Sequence, residues 1–424
     1  AAEAMPLVLL RELLTEAGRA DAKDAKDAND AQDAWLAHAE LIELRADLCL
    51  DPEARASWDL DRAEALWNAG RAREAGAVIA SVLQAQPTSV RGLTMARDIA
   101  EHVGDARAAA LANTQLAAVV VAPSARAELL RRALAVFDPR PHTSGQRPAL
   151  LDEAVETYQR LLAIEPAAPE FARAADLLRA DADTGALLAL LGARISHALR
   201  GDGSIALTDV VPLWLERATL RFGLDHRTGA MADLDQLLEV DPKHGEALRF
   251  RGDLALAAGD AGRAVDLWRR YIEVERRPAR RTEVELQLAK VLAEDMSDLQ
   301  GAIDQLAHVV EQDPDDAKLH ERLIGLATRA EDWPRVAASM RELARLRGAG
   351  PERARDELAL AVVLRDKLRD KAAARLALDR ARGYDPVNID VVRALADLLD
   401  PAARAQVLHN ACDDLRAAIK RTPT

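Results

Sequence analysis

Five stretches of the chain run to a proline with one spacing: REAGAVIASVLQAQP to Pro87, LDEAVETYQRLLAIEP to Pro166, TGAMADLDQLLEVDP to Pro242, LQGAIDQLAHVVEQDP to Pro314 and KAAARLALDRARGYDP to Pro386. Twelve residues before each proline stands a small residue, eight before it a large apolar one, and usually five before it another apolar one. These offsets line one face of a helix at i, i+4 and i+7, and the proline stops that helix. A small residue suits a place where two helices cross closely, with bulky side chains filling the space on either side. The small position continues through Ala75, Ala109, Ala154, Ala186, Ala230, Ala264, Ala302, Val336 and Ala374, at steps of 34, 45, 32, 44, 34, 38, 34 and 38. The step of 45 contains the Pro/Gly/Ser insertion DPRPHTSGQRP at 138–148, and the step of 44 contains LRGDGSIALT. The steps of 38 contain RRPAR and RGAGP, read as lengthened turns. Abundant alanine could mimic a rhythm of small residues, but it does not place five prolines at one phase.

The pattern resembles the second helix of the tetratricopeptide repeat, a 34-residue unit of helix, turn and helix. The first helix shows most plainly in GEALRFRGDLALAAGDAGRAVDLWRRY, where Gly252 and Gly259 stand at the family's glycine positions and Trp268 at an aromatic one; Trp214 matches the first-helix tryptophan. The resemblance covers roughly residues 53 to 400 in about nine units, with Asn113 in place of an apolar residue and Val336 in place of alanine. It implies an all-α fold, a right-handed superhelical solenoid of antiparallel helix pairs.

The ends read differently. Residues 1–52 carry twelve acidic and five basic side chains. In ADAKDAKDANDAQDA the aspartates Asp21, Asp24, Asp27, Asp30 and Asp33 spiral around a helix rather than form a stripe. This run is either an exposed helical extension or a mobile linker. A helix over about 31–50, with Trp35, Leu41, Ile42, Leu44 and Leu48 as its apolar face, is expected to pack on the first repeat. Val407, Leu408, Ala411, Leu415 and Ile419 give the last segment the face of a terminal capping helix. The RGDGS of 200–204 is either a break between superhelical halves or a plain loop. The expected domains are thus an acidic helical segment (1–52), a first half (53–200), a second half (201–400) and a capping helix (401–424).

Composition narrows the function classes. The 424 residues are 49% hydrophobic and 3% aromatic, so the core is aliphatic, and the net charge of −13 disfavours nucleic acid or an anionic membrane as the partner. The 49 arginines against eight lysines, beside abundant alanine, read as a bacterial coding signature. Cys49 and Cys412 are too far apart in sequence to imply a disulfide framework. No apolar run is long enough to span a membrane. The chain opens at Ala1, so it reads as a segment whose native signal or neighbouring domain is missing; a cytoplasmic protein is favoured, with periplasmic or extracellular locations open.

No nucleotide-binding glycine loop, HExxH or G-x-S-x-G setting occurs. His409 and Cys412 make a single i, i+3 pair without further ligands. DADTG at 181–185 and DPDD at 313–316 read as helix N-caps, and RRPARR at 276–281 as a solvated loop. No catalytic, cofactor or metal site is expected.

What the resemblance implies instead is a concave surface lined by first-helix residues. In this sequence these include Trp67, Arg91, Asp98, Leu215, Thr219, Phe222, Arg249, Asp253, Gln287, Lys318 and Arg322. A family subtype clamps a peptide carboxylate; Lys318 and Arg322 match its third unit, but Leu288 and the Arg249/Asp253 pair depart from the other two, and Asp253 would repel a carboxylate. Phe222, Arg249 and Asp253, which have no evident duty in the repeat, form a candidate patch for a mixed peptide or helix. Their bland alternative is an exposed Arg249–Asp253 pair at i, i+4. The leading reading is a noncatalytic scaffold or adaptor that binds a protein or peptide, with assembly into a multiprotein complex open. The alternatives are the sensor or substrate-recruiting arm of an enzyme-linked regulator, and an RNA-reading helical repeat, which the acidic balance disfavours.

Overall fold

The computed structural model describes residues 28–138, 150–201 and 203–421, and every regular element among them is helical. They fall into two compact units that divide between Leu220 and Arg221. The first holds α1 (Ala28–Asp47), α2 (Pro52–Asn68), α3 (Ala72–Ala85), α4 (Val90–Val103), α5 (Ala106–Val119), α6 (Pro123–Phe137), α7 (Leu151–Ile164), α8 (Phe171–Ala180), α9 (Thr184–Arg200) and most of α10 (Val211–Gly223). The second holds α11 (Arg227–Val240), α12 (Gly245–Ala257), α13 (Ala261–Val274), α14 (Pro278–Glu294), α15 (Leu299–Gln312), α16 (Ala317–Arg329), α17 (Trp333–Leu346), α18 (Pro351–Val362), α19 (Lys371–Tyr384), α20 (Ile389–Ala396) and α21 (Pro401–Arg421). Within each unit successive helices pack on one another through short turns, the arrangement of a helical repeat. The acidic run before residue 28 and the insertion at 139–149 lie outside the described residues.

Aspartates punctuate the array. Asp105, Asp183, Asp260, Asp298, Asp332 and Asp370 each stand just before the second helix of a pair and accept a backbone N–H of its first turn. Each such cap is worth about 1 kcal/mol. Asp183 and Asp316 of the two Asp clusters are both caps, accepting from the Ala186 and Lys318 amides at 2.9 and 2.8 Å.

Ala75, Ala109, Ala154, Ala230, Ala264, Ala302, Val336 and Ala374 are all buried, at 5% exposure or less. Ala186 is the exception and is partly exposed. The buried face of α9 is instead Leu187, Leu190, Leu191 and Ile195, following an α8 of only ten residues. The helices also approach closely at Gly252, where an added Cβ would sit 2.6 Å from the indole of Trp268, itself wholly buried. The turns at RRPAR and RGAGP are not lengthened. The extra residues extend the first helices: α14 has 17 residues against 13 in α12 and α16, and α18 runs on through a π turn, Val363–Lys367. Pro278 and Pro351 sit at the first helical position, where their fixed φ starts the helix.

The α1 face also differs from expectation. His38, Ala39, Ile42 and Ala46 are buried, whereas Leu41, Leu44 and Leu48 are 43%, 64% and 76% exposed. Of the expected face, Ile42 and Trp35 do pack on the first core cluster, and His38, Ala39 and Ala46 take the place of the three leucines. At the far end, α21 buries Ala411 and packs Val407 on the last core cluster, while Leu408 is exposed. Beside the insertion, the buried Asp138 receives two N–H groups of Arg173 at 2.8 and 3.0 Å and the Tyr158 hydroxyl at 3.0 Å. Burial, with Asp138 adjacent, pushes the Tyr158 phenol far above its ordinary range, so it stays a donor.

Gly252→Ala is expected to lower stability by about 1–3 kcal/mol, because the new methyl group overpacks the Trp268 crossing, and Ala264→Leu to do the same. Urea denaturation is the check; unchanged midpoints for both would mean that the crossings are loose.

Candidate functional site

The first helices of the pairs present the residues expected to bind. In the first unit, Trp67 on α2 is half-buried and meets the His102 ring edge-on, with centroids 4.9 Å apart. Arg91 on α4 reaches back to α2, donating to Asp61 at 2.7 Å and to Glu64. Burial pulls its pKa down, but the two carboxylates outweigh that and the net direction is up. Asp98 is exposed and accepts from Arg97 at 2.8 Å. On α10 the Thr219 hydroxyl donates to the Leu215 carbonyl at 2.9 Å.

In the second unit, Phe222 is 44% exposed and meets Phe250 edge-on at 5.4 Å. Arg249 donates to Glu283 of α14 at 2.7 Å. Asp253 accepts the indole N–H of Trp268 at 3.1 Å. Both residues therefore have structural duties that the sequence hid: one ties successive first helices together, and the other satisfies the polar atom of a buried tryptophan. Gln287 is partly buried, and Lys318 and Arg322 are exposed.

Cups open in the surface of the described residues. One, of 450 Å³, lies between α14 and α16. Its floor is Leu286, Ala289, Ala293, Leu306 and Leu326, and its polar wall is Lys290, Glu294, Arg322 and Arg329. Gly325 leaves it open, with nothing within 4 Å of where a Cβ would stand. Of the expected residues only Arg322 lines it. Most of the others lie further along α14 and α16 than the expected positions, with Leu306 on α15; the signal was the basic, small-residue face Arg322, Gly325, Arg329 at helical spacing.

A second cup, 280 Å³, is framed by Phe171, Ala186, Ala189, Leu190, Ala193 and Arg194, among others. Arg194 donates one nitrogen to the carbonyls of Pro166 and Ala168 and lies over the Phe171 ring. In the second unit Arg270 makes the same bond to Pro242 at 2.8 Å. The arginine is thus a clamp on the turn between repeats. The third cup, 370 Å³, opens among α4, α5 and α6 over Asn113. No group of three or more metal-ligating side chains occurs among the described residues, and no described helix is long and apolar enough to cross a membrane.

The class this packing defines is an all-α helical repeat of successive packed helices. Neither a protein-family model nor a curated protein matches the chain. Among solved structures it is similar to a tetratricopeptide repeat protein from Parabacteroides merdae, at 18% identity over 65% of this chain and 99% of that one, with a TM-score of 0.30. It is similar to YrrB, described as a TPR protein with an unusual peptide-binding site, at 16% identity over 47% and 96% (TM-score 0.28), and to yeast Tom70 at 13% over 97% and 92% (TM-score 0.24). The fold assignment rests on the helix packing described above.

Burial raises the Asp253 pKa above its ordinary 3.8, against the opposing pull of the Trp268 N–H and Arg249. The folded state thus holds the proton more tightly than the unfolded chain, and stability falls as pH rises from the ordinary carboxylate value through the raised one. Asp253→Asn keeps an acceptor for Trp268 and removes this charge, so it is expected to match or exceed the parent's stability at neutral pH and to flatten that slope. Asp253→Ala strands the indole N–H and is expected to cost about 1–3 kcal/mol. Chemical denaturation across pH checks both; an asparagine variant less stable than the alanine one would refute the assignment.

Proposed function

We propose that the chain is a noncatalytic protein-interaction scaffold that binds an extended segment of a partner protein across the first-helix face of its second unit. The observation that carries this reading is the cup between α14 and α16, an aliphatic floor walled by Lys290, Arg322 and Arg329 with one carboxylate, Glu294. Lys290 lies 3.9 Å from Glu294, a contact on an exposed face that contributes little. The cup therefore presents excess positive charge above apolar surface on a chain whose net charge is −13. Such a site suits an aliphatic side chain flanked by an acidic one, and the overall negative charge supports a protein partner over a nucleic acid.

The expected partner chemistry has a direct check. Changing Arg322 and Arg329 to glutamate reverses the wall without touching a buried group, so stability should stay within about 0.5 kcal/mol. Capture of the native partner by the intact chain should weaken by at least about tenfold and lose its salt sensitivity. Undiminished capture by the folded variant would remove the cup as the binding site.

A further inference from the structure

The repeat places a large apolar side chain four residues after each small one: Ile79, Tyr158, Leu190, Leu234, Trp268, Leu306, Met340 and Leu378. Most of these are buried against their own crossing. In the unit of Ala109 the residue at that place is Asn113, and it too is buried, at 3% exposure. Its carbonyl oxygen has no hydrogen-bond partner among the described residues. Above it lies the 370 Å³ cup, with walls of Ala106, Ala109, Ala110, Ala135 and Val136 and with Glu101 and Arg132 at the rim. The cup in the second unit has Leu306 at the matching place and Glu294 where this one has Glu101, each at the same offset from its small residue. The two cups are the same feature of the repeat with different floors, one apolar and one an amide.

We propose that the Asn113 cup is a recognition subsite for the carboxamide side chain, glutamine or asparagine, of a peptide segment laid between α4 and α6. A buried amide with an unmade acceptor destabilises the fold, and leucine or isoleucine serves at this place in other units. An amide presents a donor and an acceptor side by side, whichever way it is turned, so its full complement is another amide. A carboxylate offers no donor to the Asn113 oxygen and would meet Glu101. An ammonium offers no acceptor and would meet Arg132. An aliphatic side chain fills the alanine walls but leaves the oxygen unpaired. The one or two methylenes of asparagine or glutamine suit those walls while the head group reaches the floor. The site rests on the scaffold reading only for its occupant being a peptide, and its geometry is independent of the cup at Arg322.

The test uses the full chain, labelled for NMR, with the Asn113 side-chain amide resonance as the readout in the parent and, in the Asn113 variants, the backbone amide resonances of Ala109 and Ala110, which line the same cup. The probes are acetyl-Gly-Gln-Gly-N-methylamide and its Glu and Leu counterparts, capped so that only the central side chain can bring a primary carboxamide. The glutamine probe should shift that resonance saturably and bind at least about tenfold better than either counterpart, because each of those leaves a buried amide atom unpaired. Asn113→Leu should abolish this preference and raise the melting midpoint by about 2 °C or more, since it installs the residue type of the other units. Asn113→Ala, which leaves the cup open, should abolish the preference as well and carries the comparison if the leucine variant does not fold. Equal response to glutamine and leucine, retention of glutamine binding by either variant, or no saturable binding by any probe would overturn the site and leave a water-filled cavity. Loss of discrimination here with partner capture intact at Arg322 would overturn this subsite alone.

Discussion

Everything in this array depends on how closely two helices can cross. At most crossings a residue with almost no side chain lets the backbones approach, and the bulky residue one turn later fills the space beside the contact. Gly252 and Trp268 show the limit: the indole occupies the volume that a single methyl group on residue 252 would claim. With only 3% aromatic residues, the chain fills its core mostly with alanine, leucine, isoleucine and valine, and Trp58, Trp214, Trp268, Tyr158 and Tyr271 are buried among them.

Arginine supplies the second layer of order. Arg91 with Asp61 and Glu64, Arg131 with Glu165 and Glu170, Arg249 with Glu283 and Arg380 with Glu357 each join helices or turns well apart in sequence. Where the acid is buried, as at Asp61 or Glu357, the guanidinium satisfies an oxygen that would otherwise be stranded. Where both partners are exposed, as with Arg160 and Glu156, the pair adds little. Many of the charged residues that look available on the first helices are therefore braces.

The cups arise from departures in side-chain size. Between α14 and α16 the departure is small residues on both first helices, Ala289, Ala293 and Gly325, which leave a hollow over Leu306. Over Asn113 it is the floor itself, where a polar residue replaces the apolar filler. A repeat that must fill each crossing can open a recess only by weakening a filler, so binding surface and local stability trade against each other in the same residues.

The sequence by itself determined the helices, their pairing and the small residue at eight of the nine crossings, because spacing along one helix face and the proline stop are local properties of the chain. It also exposed Asn113 as a misfit, since an apolar place in a period can be seen without coordinates. It put Trp35 and Ile42 of α1 on the buried side correctly but added Leu41, Leu44 and Leu48 where His38, Ala39 and Ala46 complete the contact with α2, because the side of an amphipathic helix that is buried depends on the neighbour that covers it. It placed the extra residues of the longer units in the turns, whereas proline at the first helical position moved them into α14 and α18. Only the tertiary structure decided which charges were free. Arg249 and Asp253 lie four apart on one helix and look like a pair, but their partners, Glu283 and Trp268, come from two other helices, at distances fixed by packing rather than by spacing in the chain.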